Sequence, residues 1–257
     1  MGKMNSHSKI KLALHLILPA LIAFAVSFQT ASAVTVKQTA MTVQTKIEHN
    51  FAKHDLLKNN DIHAVLYGHI VTLQGTVGTL AEKNQAEHEV SKAAKGYLIQ
   101  NNLTVRNSDL TDSQLAGRVT NRLNKYLFYG VFDWVTPSAD NGVVTLRGWA
   151  HERWLKGAFA RQVAQVPGVT QVNNQIEVLP VSIFDNEIRH RAMRLIYDNP
   201  LYEMYAYDAF EPVHIIVNGG DVTLYGDVAS TSEKGWAATL IKFGTNAMNI
   251  DNRLKVL

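Results

Sequence analysis

The sequence predicts an α+β protein built from three tandem two-layer modules. Each module is αββαβ, with a three-stranded mixed sheet and two helices on one face. Three observations predict this. A strand-like segment occurs three times in the 257 residues, as IVTLQGTVGTLAEK from Ile70, VVTLRGWAHERWLK from Val143 and DVTLYGDVASTSEK from Asp221. Each copy runs into apolar residues spaced four and three, the stripe of an amphipathic helix. Each then returns to the period of two that marks a half-buried strand. The VTL steps at Val71, Val144 and Val222 lie 73 and 78 residues apart, too long for a solenoid repeat and right for a small domain.

The N-terminal residues are set aside first. Lys3, Lys9 and Lys11 precede an apolar run from Leu12 to Phe28, which is followed by Ala31-Ser32-Ala33. Basic, apolar and A-x-A in that order predict a signal peptide over residues 1–33 and a periplasmic mature chain with no transmembrane span. The competing reading, a spanning helix, meets a run that is short and interrupted by Pro19. With no cysteine in the chain, the exported modules must rely on packed cores and not on disulfides. The 25 basic residues exceed the 22 acidic ones only through those three leader lysines. A global attraction to nucleic acid is therefore not expected.

The first module is expected over residues 40–106. Val71 and Leu73 face its core, Gln74 faces outward, and Ala86, Val90 and Ala93 form the helix stripe. The second is expected over 110–180. It opens with a helix carrying Leu115, Val119 and Leu123 and ending near Tyr129 and Gly130. A strand VFDWV, a turn rich in Pro137, Asp140, Asn141 and Gly142, and the VTL strand follow. The third, over 181–257, has VHIIV and an NGG hairpin turn before its VTL strand, with Tyr225 facing outward beside Val222 and Leu224. Gly75, Gly148 and Gly226 close the three VTL strands, and their expected role is structural: a bend or a close backbone approach. The last strands repeat Leu103 and Val105 as Ile176 and Val178 and as Leu254 and Val256. Asn101, Asn174 and Asn252 stand two residues ahead.

The order of elements, GVVTLRG at Gly142 to Gly148 and VPGVTQVNNQIEV at Val166 to Val178 resemble the BON domain. The third copy keeps DVTLYG and NIDNRLKV but has Asn246 and Ala247 where the family usually has Gly-Val. The first has Lys95 and Gly96 there, and His69 where a glycine normally starts the strand. The resemblance spans nearly all of residues 40–257. It implies exported, non-enzymatic modules that bind phospholipid or other envelope surfaces, in a protein acting under osmotic or envelope stress.

Three surfaces are candidates for binding. Arg118, Arg122 and Lys125 are spaced four and three on the helix that opens the second module, with Tyr126 and Tyr129 at its end. A basic stripe bordering an apolar one suits an anionic phospholipid surface; the same pattern also fits an ordinary solvated helix face. Trp154 lies beside Arg153 and Lys156 as an interfacial anchor, a partner contact, or a ring packed over the helix end. The insertion NPLYEMYAYDAFEP mixes acids with Tyr202, Tyr205, Tyr207 and Phe210. It is either a loop for an envelope protein partner or a lid over its own domain. The third module is acidic, with 7 basic and 10 acidic residues from Val181 onward.

Catalytic residues, cofactors and metals are not expected. His49, His54, His63, His69 and His88 gather in the first module without an H-E-x-x-H spacing, and a zinc site there is the minor alternative. There is no P-loop, dinucleotide fingerprint or G-x-S-x-G elbow.

Overall fold

The computed structural model describes residues 41–207 and 212–257; the expected leader lies outside them. Compactness divides the chain into two units. One holds the described residues up to Lys58 with Ile62–Gln74 and Ala86–Asn102, and the other holds Asn59–Asp61, Gly75–Gln85 and Leu103–Leu257. The whole of the second and third modules lies in the latter.

The expected α+β modules are present, each with one sheet and two helices. In the first, helix α1 (41–53) precedes strands β1 (Asp61–Tyr67) and β2 (Ile70–Val77), helix α2 (Leu80–Ala93), and short strands β3 (Leu98–Asn101) and β4 (Thr104–Val105). Both short strands run parallel to β2, so they act as one interrupted last strand. Val71, Leu73, Ala86 and Val90 are buried.

The second module comprises α3 (Asp112–Asn124), β5 (Trp134–Asp140), β6 (Val143–Ala150), α4 (Arg153–Val163) and β7 (Gln171–Val178). Strand β6 is central, antiparallel to β5 and parallel to β7. Leu115, Val119 and Leu123 of α3 share one core with Val144 and Leu146 of β6, Phe159 and Val163 of α4, and Ile176 of β7. Both helices therefore cover the same sheet face, as periods of 3.6 and 2 require. A capping box of Thr111 and Gln114 starts α3.

Helix α3 ends at Asn124 and not near Tyr129, because the chain turns to carry Tyr129 into the core and Val131 into the next module. The expected strand VFDWV begins only at Trp134, after a turn in which Asp133 Oδ2 accepts the Gly130 N–H at 3.2 Å. Pro137 lies inside β5 and not in the turn; an edge strand tolerates it.

The third module repeats the order with α5 (Ile183–Tyr197), a 3₁₀ helix (Pro200–Tyr207), β8 (Val213–Asn218), β9 (Asp221–Val228), α6 (Thr231–Gly244), β10 (Asn249–Asn252) and β11 (Lys255–Val256). Strands β8 and β9 form the expected hairpin, and β10 and β11 run parallel to β9. Ser182 and Ser230 cap the two helices.

One expectation about the sheet faces is overturned. Gln74 and Arg147 are exposed, but Tyr225 is only 9% exposed. It belongs to a small cluster with Ile216 and Leu179, against which Trp134 and Trp149 of the second module pack. The outer faces of these two sheets meet here, so neither is wholly wet. Backbone pairing reinforces the seam: the Ile215 N–H donates to Val131 O at 2.7 Å.

Candidate functional site

The three recurring glycines share a backbone conformation that favours glycine. Gly75, Gly148 and Gly226 have φ of 117°, 123° and 111°, in the region that side-chain-bearing residues avoid. A Cβ on Gly148 would lie 2.0 Å from Trp134 O, and one on Gly226 would lie 1.8 Å from Pro212 O. Gly148 and Gly226 each let a backbone carbonyl of the adjoining chain segment come close.

On α3, Arg118 and Arg122 are exposed, as is Lys125 just past its end. The Arg122 guanidinium donates to Gln165 Oε1, so its position is fixed toward α4. Tyr126 is half-buried, with its ring edge-on to Phe128 at 5.5 Å and Phe159 at 6.1 Å. Tyr129 does not lie at the surface as expected of a headgroup-facing ring. It is 9% exposed, its hydroxyl accepts the Val135 N–H at 3.0 Å, and burial pushes its pKa well up.

What the sequence reading missed is the turn after α3. Leu127 is 88% exposed and Phe128 52%. Phe128 meets the half-exposed Trp154 edge-on, with centroids 5.3 Å apart. The exposed residues Lys125, Leu127, Phe128, Arg153 and Trp154 thus form an apolar and aromatic patch with cations beside it. The helix had been expected to continue through this stretch, which hid its two most exposed apolar residues. Trp149 lies in the seam, 5.6 Å from the Tyr225 ring, and Phe159 is core.

The insertion is tied to its own module. Tyr202 is fully buried and donates to Glu233 O. Tyr205 is buried and donates to Glu233 Oε2. Burial, helped by the Glu233 charge, pushes the Tyr202 hydroxyl up to about 12. Neither ring is available to a partner, which corrects their assignment as a docking surface. Phe210 and the side chain of Tyr207 lie outside the described residues.

Among the described residues, no three His, Asp or Glu side chains are grouped as metal ligands would be. His54 Nε2 lies 3.5 Å from the buried Glu89, and His69 stacks on Tyr97 at 5.3 Å. A cleft of about 640 Å³ opens along the seam between the second and third modules. Asn124, Lys125, Tyr126, Trp134, His214 and Asp227 are among its lining residues. No described helix is long and apolar enough to cross a membrane.

The model of one protein family, the BON domain, matches residues 40–107 and 111–180. No curated protein matches the chain. Among solved structures, it is similar to the C-terminal domain of CdsD, a structural protein of the type III secretion system of Chlamydia trachomatis. That domain is 11% identical, with 83% of this chain and 96% of that one covered and a TM-score of 0.25. It is also similar to the periplasmic domain of the type III secretion inner membrane protein PrgH from S. typhimurium, at 10% identity, coverage of 80% and 99%, and a TM-score of 0.20. Scores this low do not establish a shared arrangement.

Proposed function

The chain belongs to the BON domain family, and from that membership and the surface of its second module we propose that it is an exported, periplasmic, non-enzymatic protein that associates with anionic phospholipid surfaces under osmotic or envelope stress. The observation that carries the reading is the patch of Leu127, Phe128 and Trp154, exposed by 88%, 52% and 50% and flanked by Lys125 and Arg153. Apolar and aromatic side chains insert at the boundary of headgroups and acyl chains. Each neighbouring cation adds about 1 kcal/mol near an anionic leaflet. The mechanism is weak and multivalent, since linked modules raise the effective concentration for one another.

Co-sedimentation with vesicles tests it. Vesicles containing phosphatidylglycerol should retain the protein, and phosphatidylcholine alone should not. Replacing Arg118, Arg122 and Lys125 together by Glu should abolish retention; unchanged retention rejects the reading. The alternative, an adaptor or chaperone that grips clients through Trp154 and the insertion, keeps the exposed Trp154 but loses Tyr202 and Tyr205, which are spent on Glu233.

A further inference from the structure

We propose that the cleft between the second and third modules binds a compact zwitterion joining an ammonium to a phosphate, as in a phosphoethanolamine headgroup. At about 640 Å³ it lies within the usual size range of small-molecule sites. Its walls bring two opposite charges to one concavity, Lys125 at the end of α3 and Asp227 on β9. These two form no ion pair with each other or with any other described residue. The Asn124 amide and the Tyr126 hydroxyl, on the same lining, also make no hydrogen bond among the described residues.

Opposite charges held apart across a concave surface complement a molecule that carries both. They discriminate against a purely anionic one, which Asp227 repels. Tyr129, Trp134 and His214 supply the aromatic wall, and ring faces favour an ammonium. Lys125 belongs to the second module and Asp227 to the third, so only the assembled seam makes the site. Exposed Leu127 stands on the same rim and leads to the patch described above. The inference rests on the phospholipid reading only for the source of the ligand.

The test is titration of the full-length protein with soluble glycerophosphoethanolamine and glycerophosphoglycerol, following the Trp134 indole N–H signal by NMR. Saturable shifts are expected with the first compound and at least tenfold weaker binding of the second. Asp227→Asn and Lys125→Gln, both at exposed positions, should each weaken the first by tenfold or more. Equal affinity for the two compounds, no saturation, or variants that bind like the parent would overturn the proposal. Vesicles containing phosphatidylethanolamine then serve as competitors: displacement assigns the site to a bilayer lipid, and its absence to a free solute with the same charges. The first arm contains no bilayer, so its failure leaves the vesicle result standing, and the reverse holds too.

Discussion

Trp134 and Tyr225 stack across the seam between the second and third modules, with ring centroids 5.1 Å apart and planes inclined by 11°. Trp149, Ile216 and Leu179 close around them, making a small core apart from the main cores of the two modules. Two modules that share buried aromatic area should unfold as one cooperative unit. Tyr225→Ala is expected to cost about 3 kcal/mol and to split a single denaturant transition into two. A single transition shifted by less than about 0.5 kcal/mol would show that the seam contributes little.

Gly148→Ala and Gly226→Ala should each destabilise by about 3 kcal/mol or more, since a Cβ would sit at 2.0 Å or 1.8 Å from a backbone carbonyl oxygen and the left-handed φ adds strain. Gly117→Ala is the matched control. It lies inside α3, and a Cβ there meets nothing within 4 Å. It should stabilise by roughly 1 kcal/mol through helix propensity. Thermal melts followed by circular dichroism rank all three.

The parts of the fold that repeat with a local period were legible in outline: the VTL strands and the helices stand where spacing put them, but the last strands of the first and third modules break at Leu103 and Leu254, Val166 lies past the end of α4, and Val178 and Val256 are exposed. The recurring asparagines were visible but their work was not. Asn174 and Asn252 donate to the backbone carbonyls of Lys156 and Lys234 at 2.7 and 2.6 Å, pinning the last strand to the start of the preceding helix. A bond from side chain to distant backbone leaves no periodic trace. Strand alternation likewise placed Tyr225 on the face away from its own helices. It says which residues share a face and nothing about whether another sheet covers that face. Leu127 and Phe128 escaped notice because an apolar residue in an aperiodic turn carries no signal of exposure.

Acid should loosen the insertion. Burial raises the Glu233 carboxyl, but hydrogen bonds from the Tyr205 hydroxyl, the Ala229 N–H and Ser230 outweigh it and hold the pKa below the ordinary carboxylate value. A group lowered in the folded state contributes stability that is complete above its unfolded pKa and is lost as pH falls through the folded one. Glu233→Gln should therefore be less stable than the parent at pH 7. The difference should shrink steadily below about pH 4.5, where the unfolded carboxyl begins to take up protons. Melting temperatures of both proteins between pH 7 and 3 give the comparison, and parallel curves would contradict it.

The two kinds of side chain on the second module's surface should separate by salt. Half of Trp154 is already covered, by Phe128 among others, so inserting the rest at a lipid interface contributes about 1 kcal/mol, and Trp154→Ala should weaken vesicle binding about fivefold. That loss is apolar in origin and should persist at high ionic strength. Lys125→Gln should cost a similar factor at low salt, about 1 kcal/mol. The loss should largely vanish near 1 M salt, where charges are screened within about 3 Å. Both variants change exposed positions, so their melting temperatures should match the parent. If Trp154→Ala binds anionic vesicles like the parent at every salt concentration, the aromatic patch is not the contact, and the basic stripe alone must carry the attraction.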